Sequence, residues 1–115
     1  MGNIMEKTIM KNIEKSQILD MKHLVVYQPG QIVSKTLIQN KSVNITLFAF
    51  AKGEEISSHE SGGDAMVTVL DGVAGVTIAG KDYTVSAGQT IIMPAGIAHA
   101  VMAKEKMKFQ LTVVF

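Results

Sequence analysis

The chain has no cysteine, no tryptophan and no arginine in its 115 residues, and only two prolines. Without cysteine there is no disulfide framework and no thiolate to act as nucleophile or metal ligand. Without arginine, all eleven basic residues are lysine, and ten acidic residues leave a net charge of +1. The guanidinium is the planar fork that grips guanine edges and phosphates, and nucleic-acid binding needs a concentrated basic patch. Nucleic acid is therefore not an expected partner, and nucleotide-sugar diphosphates are poor candidate ligands. Also missing is any run approaching the ~20 apolar residues of a membrane helix, so no membrane partner is expected. The opening residues, MGNIMEKTIMKNIEKSQILD, mix lysine and glutamate into every few positions. Such a stretch is not expected to be a secretory signal, and a cytoplasmic location is the default expectation.

What is present is apolar. Hydrophobic residues form 47% of the chain, which a single domain of this length must bury in its core or in a subunit interface. Ile4, Ile9, Ile13 and Leu19 fall at loosely helical spacing and predict a short amphipathic helix over residues 3 to about 22. Residues 1–29 are thus expected to be a helical segment and lead-in, ending at the turn-like Gln28-Pro29-Gly30. From residue 30 to 115 the pattern changes to strands. QIVSKTLIQ, SVNITLFAF, AMVTVL, VAGVTIA, DYTVS, QTIIM, AHAVMA and MKFQLTVVF are short and rich in Val, Ile, Thr and Phe, with turn signals such as Asp71-Gly72 between them. Eight strands at this spacing predict an all-β sandwich or barrel.

Period-two alternation sorts the faces. If His59 points inward, so do Ser61, Ala65, Val67 and Val69, leaving Met66, Thr68 and Leu70 outside. In the last strand Met107, Phe109, Leu111 and Val113 share the inner face. Large apolar residues on an outer face need a cover, and a second subunit is the expected one, making a homodimer.

Two motifs carry the chemistry. Gly53, His59 and Gly72 fit a pattern G-x5-H-x-H-x3,4-E-x6-G, with Ser61 at its second histidine and Ala65 at its glutamate. Gly88, Pro94, Gly96 and His99 fit G-x5-P-x-G-x2-H-x3-N, with Ala103 at the final asparagine. In this pairing, at a short gap of the kind seen in bacterial single-domain members, the chain resembles the cupins, specifically the small conserved-barrel type with an RmlC-like jelly roll. The resemblance implies an all-β cupin jelly-roll barrel over residues 30–115. It also implies a divalent metal (Zn, Fe, Mn or Ni) held inside by the motif histidines and glutamate. This sequence keeps His59 and His99 of those four ligands; Ser61 and Ala65 stand at the other two positions. Glu60 and Asp64 are each one residue out of register and are expected on the opposite side, Asp64 capping the turn and Glu60 solvated; the alternative is a bulge at Ser61-Gly62-Gly63 that rotates one of them inward to complete a two-His-one-carboxylate set.

Two expectations about function follow. In the first, the barrel binds a small, partly apolar molecule in a pocket of His59, Ser61, Val67, His99, Met107 and Phe109, with or without a weakly held divalent metal. In the second, it is a metal-dependent enzyme of dioxygenase, isomerase or decarboxylase type acting on a small oxygen-rich substrate. Ser61 lacks a G-x-S-x-G context, so a serine nucleophile is not expected. His23 stands before the barrel and is expected at the surface, apart from the site.

Overall fold

A computed structural model describes residues 9–115. Nine strands form among them: β1 (Ile32–Gln39), β2 (Val43–Phe50), β3 (Glu55–His59), β4 (Asp64–Asp71), β5 (Val73–Ile78), β6 (Lys81–Ser86), β7 (Thr90–Met93), β8 (His99–Ala103) and β9 (Met107–Val114). They pair antiparallel into a five-stranded sheet, β1-β2-β9-β4-β7, and a four-stranded sheet, β3-β8-β5-β6. Two sheets facing each other across one core make a jelly-roll sandwich. The expected strands are all here. The ninth, β3, is five residues with a single apolar side chain, Ile56, and too short to register as a strand in the sequence.

Alternation places the core as expected. On β4, Ala65, Val67 and Val69 are buried while Met66, Thr68 and Leu70 are half-buried; on β9, Met107, Phe109 and Val113 are buried. Val76, Val85 and Val101 answer them from the four-stranded sheet. Phe109 stacks on Phe48 at 5.0 Å between centroids and meets Phe50 edge-on at 5.2 Å, so three rings lock β2 to β9.

The expected N-terminal helix shrinks to one 3-10 turn, Met21–His23, with residues 3–8 of that expectation lying outside the described residues. Asn12 and Ser16 take left-handed φ values of 61°, which no α-helix through residues 12–16 accommodates. The segment instead lies as a strap across the outer face of the five-stranded sheet. Met10, Ile13, Met21, Leu24 and Val25 pack onto Leu37, Leu47 and Ala49. Lys11 N–H donates to the Leu37 carbonyl at 2.8 Å, and Asn12 Nδ2 to the Thr36 carbonyl at 2.8 Å. The strap also covers Leu70, so this part of the outer face is covered by the chain itself and not by a partner. At its end Tyr27 Oη donates to Asp71 Oδ2 at 2.6 Å, with the ammonium groups of Lys106 and Lys108 over its ring. Burial, then the Asp71 carboxylate, push this phenol well above its ordinary pKa, so it stays a donor. His23 is exposed beside Asp20 and does not line the cavity of His59 and His99.

Candidate functional site

The two motif histidines meet because β3 and β8 are neighbours. His59 and His99 are directly opposed Cα partners at the end of that ladder, so their side chains leave the sheet on the same face. The Nε2 atoms lie 3.2 Å apart, with ring centroids at 4.4 Å and planes at 76°. The pairing shifts between Ile56 and His59, an irregularity that turns the end of β3 toward the cavity mouth. His99 is 2% exposed, whereas His59 sits exposed at the rim.

The pair opens onto a cavity of about 300 Å³ between the sheets. Its walls are mostly apolar: Ile56, Met93, Val101, Phe109, Leu111 and Phe115 among them, with Ala65 beside the histidines. Of the residues expected in the pocket, His59, Ser61, His99 and Phe109 line it; Val67 and Met107 point inward but lie fully buried in the core. Phe115 gave no sign in the sequence. Its N–H donates to the Ser42 carbonyl at 3.0 Å, and its ring lies over Gly62 and Gly63 at the mouth. A side chain at Gly63 would strike the Val114 carbonyl, so glycine is what lets the end of β9 close this edge. Asn44, directly across from wall residue Val113, has a buried Oδ1 with no partner among the described residues. Alternation along β2, which puts Asn44 in phase with Phe48, was the available signal for it.

The off-register carboxylates are accounted for. Asp64 Oδ1 accepts from Ala95 N–H at 2.9 Å, which ties β4 to the Pro94–Gly96 turn of the second motif. Its expected role in capping its own turn is thus replaced by a longer-range bond. The Ser61 carbonyl makes a parallel tie, accepting from Gly96 N–H at 2.9 Å, while its Oγ accepts from Gly63 N–H at 3.2 Å. Glu60 is exposed and lines the cavity rim. Among the described residues no group of three or more His, Cys, Asp or Glu side chains stands together as a metal cluster.

Hydrogen positions follow from the partners. The Ser57 carbonyl can only accept, so His59 Nδ1, at 3.0 Å from it, carries the hydrogen and leaves Nε2 as a lone pair. His99 Nδ1 is buried with no hydrogen-bond partner among the described residues. Burial, then the neighbouring His59 ring, hold the His99 imidazole below the usual histidine range; the nearby Ile97 carbonyl opposes this in part without reaching hydrogen-bond geometry. A lowered folded-state pKa means the unfolded chain binds more protons, so His99 costs stability as pH falls below the ordinary value of 6.5. Urea midpoints measured from pH 7.5 down to 5 should therefore fall faster for the wild type than for His99→Gln. Parallel curves would mean that His99 is not buried as described.

A model of the family described as "Cupin domain" matches residues 46–115. No curated protein matches the sequence. Among solved structures, the chain is similar to a conserved protein of unknown function from Streptococcus pyogenes, at 46% identity and TM-score 0.92, covering 97% of this chain and 96% of that one. A cupin superfamily protein from Desulfitobacterium hafniense is 28% identical with TM-score 0.88, covering 92% and 97%. A Cupin 2 conserved barrel domain protein from Leptotrichia buccalis is 40% identical with TM-score 0.80; it covers 82% of this chain, which spans 46% of that protein.

Proposed function

The chain belongs to the cupin family, and from that premise we propose that it binds a small molecule inside its barrel without depending on a metal. The observation that carries this reading is the union of an apolar cavity of about 300 Å³ with one converging imidazole pair. A few polar groups in an otherwise apolar cleft are the usual makeup of a small-molecule site.

The four-ligand metal arrangement does not fit these residues. Ala65 has no donor atom, the Ser61 hydroxyl is engaged with Gly63, and Asp64 is held by Ala95. The 3.2 Å between the Nε2 atoms does suit two adjacent ligands of one ion, since metal–nitrogen bonds of about 2.0–2.1 Å put such pairs roughly 3.0–3.4 Å apart. That spacing favours the second reading, a metal-dependent enzyme on a small oxygen-rich substrate. Two neutral nitrogens with no carboxylate hold a dication weakly, however, and we place any such ion as an occasional occupant.

A thermal-shift screen of small metabolites, run in parallel with EDTA and with added Mn, Fe, Ni or Zn, separates the two. Stabilisers that act equally in EDTA support the metal-free pocket. Stabilisation seen only with added metal would transfer the protein to the enzyme reading.

The proposal extends to a cytoplasmic homodimer. Ile92 and Val114, at 48% and 53% exposure, share the outer face of the five-stranded sheet with Met66, beyond the reach of the strap. This is the apolar surface left for a second copy, and light scattering at micromolar concentration should give twice the monomer mass. No helix among the described residues is long and apolar enough to cross a membrane.

A further inference from the structure

We infer that the group this pocket takes against its histidines is a hydrogen-bond donor, a hydroxyl or amine on a compact apolar body, and not a carboxylate. The inference rests on the pocket reading above and adds the chemical class of the ligand.

The imidazole pair cannot satisfy itself. His59 is fixed with its hydrogen on Nδ1 by the Ser57 carbonyl, so its Nε2 is an acceptor. His99 then has two arrangements. With its hydrogen on Nε2 it donates to His59, and its own Nδ1 is left as a buried acceptor facing no donor. With its hydrogen on Nδ1, directed to the nearby Ile97 carbonyl, two Nε2 lone pairs face each other across 3.2 Å. Either way the site holds one acceptor too many, and buried polar groups without partners are rare for energetic reasons. An O–H or N–H entering the cavity supplies the missing hydrogen to the Nε2 pair, His99 then keeping its own hydrogen on the buried Nδ1. A carboxylate has none to give and would set more lone pairs against those already there.

The surrounding charge agrees. Among the described residues the cavity lining contains no lysine, the chain has no arginine, and the side-chain carboxyl group on the wall is that of Glu60 at the rim. An anionic head would enter past a negative charge and find no cation, whereas an ammonium or a hydroxyl meets nitrogen lone pairs and, for the ammonium, Glu60 and the faces of Phe109 and Phe115. The volume sets the body. A cavity of about 150 Å³ admits benzene, so about 300 Å³ has room for a ring or branched chain with a short polar arm.

Four probes of one shape test this: benzyl alcohol, benzylamine, benzoate and toluene, titrated at neutral pH in EDTA and followed by NMR of the His59, His99 and Phe115 signals. The alcohol and the amine should bind at least about tenfold more tightly than benzoate, the scale on which a site built around a hydrogen bond discriminates. Benzoate binding as tightly as the alcohol, or more so, overturns the donor assignment and leaves the pocket standing. No response of those signals to any of the four overturns the pocket reading itself. His59→Leu, at an exposed position that the core does not need, removes one of the two acceptors and should narrow the gap between benzyl alcohol and toluene, with His99 Nε2 left as the other. An alcohol preference unchanged by this variant also overturns the inference.

Discussion

Ser61→His combined with Ala65→Glu is expected to raise affinity for Mn, Fe, Ni or Zn by at least about a hundredfold. Ala65 lies on the wall of the cavity that both histidines line and is 2% exposed, so a longer side chain from this β4 position should extend into that cavity. Ser61 also lines the cavity, and its replacement gives up only a 3.2 Å bond from Gly63 N–H. The two changes turn two neutral donors into three imidazoles and a carboxylate, and donor number and charge govern such sites. Loss of even an outer-shell partner moves metal affinity by about 10–100-fold, so two direct ligands should exceed that. A buried glutamate without its ion is costly, so the metal-free variant should melt below the wild type and recover when metal is added. Calorimetric titration reads the affinity directly. A folded double variant with wild-type affinity would mean that positions 61 and 65 do not point at the histidines.

The largest loss of stability from a single methyl group is expected at Gly72. Its φ of 77° is left-handed, and an added Cβ would overlap the Lys106 carbonyl oxygen and come within 2.9 Å of Met107 Cα. The left-handed conformation costs a side chain about 1–2 kcal/mol. Relieving the overlap requires a backbone shift, worth typically 1–3 kcal/mol more. Gly72→Ala should therefore lose about 3 kcal/mol or more, roughly 10–20 °C in Tm for a domain near this size. Gly80 is the control: φ is 81° there, yet nothing lies within 4 Å of its Cβ position. Gly80→Ala should show only the conformational term, about 1–2 kcal/mol. Equal losses at both sites would show that the approach of the β9 start to this turn is not as tight as described. The turn matters to the site because it carries the chain from the five-stranded sheet on β4 to the four-stranded sheet on β5, the sheet in which β8 holds His99.

The local patterns of the sequence read well where the physics is local. Alternation along β4 and β9 assigned Ala65, Val67, Met107 and Phe109 to the inside because each strand has one buried face and a fixed period. The same rule turned Asp64 away from the inward register, but it failed at Glu60, which stands on the cavity rim just after the irregular end of β3. What escaped depended on contacts between distant residues. The spacing of Ile9, Ile13 and Leu19 fits a helix face, but of the three only Ile13 packs onto the sheet; the strap is anchored on Leu37 and Leu47 through Met10, Ile13, Met21 and Leu24, which only packing reveals. Ile18, wholly exposed, is a residue the strap does not use. The bond from Ala95 to Asp64 and the seat of Phe115 over Gly62 and Gly63 join segments some 30 to 50 positions apart, with no local signature. That the histidines stand opposite each other also comes from sheet topology; the motif spacings named the residues and the β3–β8 ladder brought them together.

The metal-free imidazole pair in an apolar cavity is the claim on which the rest turns. Its most direct test is a crystal structure of protein purified without chelators, with anomalous data collected at the Mn, Fe, Ni and Zn edges. The two Nε2 atoms should lie within about hydrogen-bond distance, with no anomalous peak between them and any density in the cavity belonging to a light-atom molecule. A fully occupied anomalous peak within about 2.0–2.2 Å of both nitrogens would contradict it.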